Sequence, residues 1–205
     1  MCDDIRERIQ RAVAVPELAR NLRGQVRAAL DCLAQQDQKF LACDFVEHAL
    51  ETLFHESSPE KKAFLECIDA IRDRLRGAID LKTVDEKYAR AIKLVTTVSE
   101  IETGTRVSIG SDGNILRLLE DCCLQRELEE AGLNFLKVRY QPSASTISKQ
   151  VCHRIAHIVG RPHWNSDDPA LKQEARNRGR AASEDEARWQ LARILESLQP
   201  AKSDP

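Results

Sequence analysis

Residues 105–119 read TRVSIGSDGNILRLL. A β-branched run meets the glycine-flanked tetrapeptide Gly110-Ser111-Asp112-Gly113, and an apolar helical pattern follows. As strand, glycine loop and helix, this stretch would open a phosphate-binding α/β site. As a polar break between two helices, it leaves the chain all-α. A nucleotide-binding P-loop needs G-x-x-x-x-G-K-[ST], with the lysine on the phosphates and the hydroxyl on magnesium. Here Gly113 is followed by Asn114-Ile115, so both are missing, and the G-x-G-x-x-G fingerprint is missing too. Asp112 would set a negative charge where a phosphate would sit. No pattern for partner strands surrounds the stretch. The residues therefore favour a structural loop, in which Gly110 and Gly113 relieve the backbone and Asp112 caps.

The rest of the chain supports helices. Of 205 residues, only 8 are glycine and 7 proline, too few to punctuate a many-stranded fold. Aromatics make up 4%, so the core must be aliphatic. Charged residues reach 31% with both signs interleaved and a net charge of −2, which argues against a strongly electrostatic binder of nucleic acid or membrane. No apolar run is long enough to span a bilayer. The N-terminus MCDDIRERIQ lacks the apolar core of a secretory signal, and its early aspartates fit a transit peptide poorly. Seven cysteines at irregular spacing, mostly on apolar helical positions, read as reduced thiols in an intracellular reducing compartment.

Apolar residues recur at helical spacing almost throughout. Ile5, Ile9 and Val13 mark a first helix. Pro16 opens a second through Leu18, Leu22, Val26, Ala29, Leu30 and Leu33. A third carries Leu41, Phe45, Val46, Ala49, Leu50 and Leu53. Ser57-Ser58-Pro59-Glu60 starts a fourth, running Phe64, Ile68, Ile71, Leu75, Ile79. Thr83-x-x-Glu86 fits a capping box before Val84, Tyr88, Ala91, Val95, Val98 and Ile101. Asp112 or Asn114 caps Ile115, Leu118, Leu119 and Cys122, and the pattern resumes in shifted phase at Leu128, Ala131, Phe135 and Val138. Ser145 precedes Ile147, Val151, Ile155 and Ile158, with Gly160 and Pro162 as the stop. Asp168-Pro169 begins a weak polar segment. Ser183-x-x-Glu186 caps a last helix through Ala187, Leu191, Ile194, Leu195 and Leu198. The expected fold is all-α, an antiparallel multi-helix bundle or short helical array. Its expected organisation is N-terminal helices over 1–56, a bundle over 57–142, C-terminal helices over 143–199 and a disordered tail over 200–205.

Several residue groups carry candidate chemistry. Cys152-His153-x-x-x-His157 sets two histidines at i, i+4, a spacing that can chelate zinc, and His163 lies nearby. No further ligand pair completes four positions, so no metal is expected. Adjacent Cys122 and Cys123 cannot readily reach disulfide geometry and read as packing residues. His48 and His55 with Glu47, Glu51 and Glu56 read as a solvated helix face. No serine or cysteine is spaced to sit beside a histidine and an orienting acid, so the chain is read as a non-enzyme without cofactor. Arg176-x-Arg178-x-Arg180 is followed at once by Glu184-Asp185-Glu186, which suggests a solvated, mobile segment rather than a nucleic-acid arm.

Residues 58–140 resemble the TFIIS N-terminal domain (TND) class, and within it the integrase-binding domain of the chromatin-tethering factor LEDGF. The likeness rests on order. A capped helix ends near Ala78-Ile79-Asp80-Leu81, and VDEKYARAIKLVTTVSEI follows. A glycine-containing connection then leads to ILRLLEDC and a final helix ending in LKVRY. In the resembled domain, partners dock where two interhelical loops meet. The resemblance thus implies a first loop, Ile79-Asp80-Leu81, with Asp80 accepting ligand N–H bonds, and a second in which Cys123 and Leu124 line the pocket; read without the resemblance, Asp80 caps the following turn and Leu124 belongs to the core. It also implies a nuclear location; without it the chain is expected in the cytoplasm.

The functional expectation is a non-catalytic protein–protein interaction module or complex subunit that binds protein partners, including short disordered motifs, with no direct nucleic-acid or membrane contact. The TND-like reading narrows this to a hub in transcription elongation or chromatin tethering. A structural helical subunit of a larger cytoplasmic or organellar assembly is the alternative. A metal protein or enzyme using Cys152, His153, His157 and His163 is a third.

Overall fold

The computed structural model describes residues 2–14, 21–107, 131–134, 136, 143–161, 163 and 166–198; over 95–107 and parts of the first helix this covers the backbone alone. The fold is all-α, and no strand occurs among the described residues. Seven helices are bounded: α1 Cys2–Ala14, α2 Leu22–Leu30, α3 Gln35–Leu53, α4 Pro59–Leu75, α5 Leu81–Val107, α6 Ala144–Gly160 and α7 Pro169–Ser197. Thr105-Arg106-Val107 forms the end of α5, so the opening stretch does not begin as a strand. Gly110–Gly113, the helices expected from Ile115 to Cys122, Cys123, Leu124, Pro16, Leu18 and the 200–205 tail lie outside the described residues.

The chain divides into two compact units, Met1–Phe45 with Gln141–Pro205, and Val46–Tyr140. The boundary falls inside α3. In the first unit α6 and α7 form the most extensive helix pair, and α2 packs on both. Their directions follow from two contacts. Gly160 at the end of α6 lies against Gly179, while Ser148 near its start meets Gln190, so the pair is antiparallel. The crossing is tight because its residues are small. A Cβ on Gly160 would lie 2.9 Å from the Ala175 carbonyl oxygen, and one on Gly179 would lie 2.5 Å from that of Ala156. Ile9 of α1 and Leu22, Val26, Ala29 and Leu30 of α2 complete this core. Phe45 meets Trp189 edge-on at 6.2 Å between centroids, and Arg193 donates to Asp44 at 2.9 Å.

The second unit centres on an αα-hairpin of α4 and α5. Ser58 is the N-cap of α4: its hydroxyl accepts from Lys61 N at 3.2 Å, and Pro59 occupies the first turn, as the sequence predicts. Phe64, Cys67, Ile68 and Ile71 of α4 and Val84 and Ala91 of α5 are buried, as are Val46, Ala49 and Leu50 of α3, and Arg72 of α4 pairs with Glu47 of α3. Phe64 also packs edge-on against Phe54 at 5.6 Å and lies over the Gly132 backbone, where a Cβ would come within 2.2 Å of the ring.

Several local expectations are corrected. Helix α4 stops at Leu75 rather than Ile79, because Gly77 takes φ 79° and closes the end. Gly77 N donates to Arg74 O and Ala78 N to Asp73 O, both at 2.9 Å, which is the Schellman arrangement. Helix α5 is capped by Asp80, not by Thr83: Asp80 Oδ1 accepts from Thr83 N and Oγ1, each at 2.9 Å. The N-cap of α6 is Ser143, whose side chain accepts from Thr146 N. The largest correction is α7. The expected polar, mobile segment after Pro169 is the first half of one 29-residue helix, so Ser183 caps nothing. Asp168 caps it through Ala170 N at 2.8 Å. Arg178 bonds Glu174 and Arg180 bonds Glu184 at i, i+4, so Arg176-x-Arg178-x-Arg180 belongs to a helix face carrying its own counter-charges.

Candidate functional site

Two places gather polar or exposed apolar groups that packing alone does not require. The first is the α4–α5 connection. Once Gly77 has turned the chain, Ala78 and Asp80 are exposed and Ile79 is half-buried. Leu81 opens α5 with 39% of its surface exposed; among the described residues only it and Val159 are large apolar residues so exposed. Backbone and hydroxyl bonds from Thr83 hold the Asp80 carboxyl below its usual pKa. Both bonds fall on Oδ1. Asp80 thus has a structural duty as a cap and stays in contact with solvent. Ile79, Asp80 and Leu81 are brought together on one turn. Cys123 and Leu124, the expected second loop, lie outside the described residues.

The second place is a buried polar cluster in the first unit. On α7 the inward stripe runs Ala175, Gly179, Ser183, Glu186, Ala187, Gln190, Leu191, Ile194. Its middle is polar. Gln190 is fully buried, and Glu186 and Ser183 nearly so. Ser148 on α6 donates to Gln190 Oε1 at 2.5 Å, and Gln190 Nε2 donates to Glu186 Oε1 at 2.8 Å. Arg23 of α2 donates to Ser183 Oγ at 2.5 Å. The Ser148–Gln190–Glu186 bonds tie α6 to α7 inside an aliphatic surround, where each bond is strong and each unmet group costly, while the part-buried Arg23–Ser183 bond joins solvent-exposed Arg23 of α2 at the rim. In the sequence Ser183 and Glu186 stand out only as a capping box, and Arg23, Ser148 and Gln190 carry no mark of their own. A signal existed: Ser183, Glu186 and Gln190 keep register with Ala187, Leu191 and Ile194, which places polar side chains on a core face.

The Cys152/His153/His157/His163 group is not assembled. Cys152 is buried against this polar cluster, whereas His153, next in sequence, is exposed on the other side of α6, and His163 is exposed beyond the helix end. Among the described residues no group of three or more His, Cys, Asp or Glu side chains is arranged to hold a metal. Burial first, and then the nearby Glu186 charge, push the Cys152 thiol up to about 12, so it stays protonated and unreactive at neutral pH. Cys32 is half-exposed, and Cys43 and Cys67 are buried. An alkylating reagent at pH 8 should modify half-exposed Cys32 while leaving Cys152 unmodified until the protein unfolds. Peptide mapping by mass spectrometry checks this, and ready native labelling of Cys152 would contradict its placement.

Among the described residues no helix is long and apolar enough to cross a membrane. Comparison with protein-family models, curated proteins and solved structures found no match to the chain.

Proposed function

We propose that the protein is a non-catalytic helical interaction module or complex subunit, and that the α4–α5 connection is its docking edge. The observation that carries this reading is Leu81: a large apolar side chain, exposed beside a solvent-facing carboxylate at the rim of a packed hairpin. Such a pairing can take an apolar side chain of a partner while Asp80 accepts its backbone N–H groups in charge-assisted bonds. The narrower form of the proposal is a TND-like hub in transcription elongation or chromatin tethering, acting in the nucleus. Its support is the order of capped α4, short Asp80-containing connection and long α5, together with the likeness of residues 58–140.

Affinity purification of the tagged protein, read by mass spectrometry, tests both forms. Leu81→Glu should lower recovery of the principal partners at least about tenfold, the scale of a lost apolar anchor plus a buried charge. Asp80→Asn retains a capping oxygen and so should retain the melting temperature while weakening the same partners. Full retention of every partner by both variants would overturn the docking edge. Elongation or chromatin proteins in the wild-type eluate support the narrower form, and their absence removes it.

A further inference from the structure

A pocket of about 600 Å³ opens in the first unit between α2, α6 and α7, above the buried polar cluster. That size suits a small metabolite. We propose that this pocket binds a small molecule carrying a single carboxylate on an aliphatic body, with Arg23 as the anchor of the carboxylate.

The lining divides by chemistry. Leu22, Ala156 and Ala187 supply apolar wall, while Arg23, Arg180, Ser183 and Glu184 supply polar groups. Arg23 spends one nitrogen on the Ser183 hydroxyl. Among the described residues no carboxylate forms an ion pair with it. A guanidinium is a rigid fork of five donors that matches a carboxylate in two parallel bonds. Arg23 therefore presents an unmatched fork, and Ser183 fixes its orientation. By contrast Arg180 is committed through Nε to Glu184 at 3.1 Å, and Glu184 also lies 3.9 Å from Arg188.

Charge selects among anions. Two guanidinium groups, Arg23 and Arg180, face two carboxylates, Glu184 on the wall and Glu186 buried one turn beyond Ser183. The surroundings are close to neutral in sum. A monoanion engaging the Arg23 fork leaves one net negative charge there, whereas a phosphate dianion would leave two beside the carboxylates of Glu184 and Glu186. The apolar wall then covers the aliphatic body of the ligand.

The test uses the full chain and hexanoate as the probe, with inorganic phosphate at matched ionic strength as comparator. Titration followed on arginine Nε–Hε resonances should show saturable hexanoate binding that perturbs the Arg23 signal, with phosphate at least several-fold weaker. Arg23→Gln should weaken hexanoate at least about tenfold, the scale of a lost charge-assisted fork. Arg23→Lys keeps the charge without the fork and should fall between. Glu184→Gln should narrow the gap between phosphate and hexanoate. Arg23 is solvent-exposed, so the variants should fold normally, which an unchanged melting temperature checks. The proposal is overturned by no saturable perturbation of Arg23, by equal binding in Arg23→Gln, or by phosphate binding as tightly as hexanoate.

Discussion

Replacing Gly179 with valine should destabilise the first unit by about 3 kcal/mol or more, beyond the usual range for a crowded core. The atoms in the way are backbone. A Cβ at residue 179 would sit 2.5 Å from the Ala156 carbonyl oxygen and 3.3 Å from Gly160 Cα, and neither can rotate aside. The α6–α7 pair must separate, which also loosens the Ser148–Gln190 bond further along it. Helix propensity works the other way, since valine is better than glycine by only a few tenths of a kcal/mol in a helix interior. The clash wins by that comparison. Trp189 packs against Phe45 within this unit, so fluorescence-detected urea unfolding reports it directly. A midpoint equal to wild type would mean that the two helices do not approach through their glycines.

Gln190→Leu is expected to lose about 2–4 kcal/mol although it adds apolar surface to a buried site. The amide serves two partners at once, accepting from Ser148 and donating to Glu186. Leucine has similar volume and makes neither bond, which strands a buried hydroxyl and removes one partner of a carboxylate that is 3% exposed. Desolvation of those groups exceeds the gain from burying leucine. The diagnostic is coupling. Ser148→Ala introduced into the Gln190→Leu background should destabilise less than it does in wild type, because its partner is already gone. Additive effects would mean that the two residues do not form one network.

Helix starts were the most legible features. Ser58-Pro59 announces α4 with residues whose effect is confined to a single turn, whereas Asp168-Pro169 carries the same signal for α7 but reads only as the start of a weak polar segment because few apolar residues follow it. The stop at Gly77 is equally local, but the apolar spacing that continues to Ile79 hides it. Candidate-site residues Ile79, Asp80 and Leu81 could be placed at a helix junction from sequence. Asp80 as a cap of the following turn and the Thr83-x-x-Glu86 box are both offered by the sequence, and the structure decides for Asp80.

From sequence alone came the helical class, the aliphatic core and most of α3 and α4, because 3.6-residue periodicity and capping act within one segment and need no partner. Only the tertiary structure decided that both chain ends join one unit, that α7 is continuous through Gly179, and that Ser148, Gln190 and Glu186 form a buried network. The reason is the same in each case. Glycine, alanine, serine and glutamine are poor predictors of burial by their own chemistry; Gly179 becomes a core residue only because the Ala156 and Gly160 backbone lies against it, and Gln190 can be buried only because Ser148 and Glu186 meet its amide.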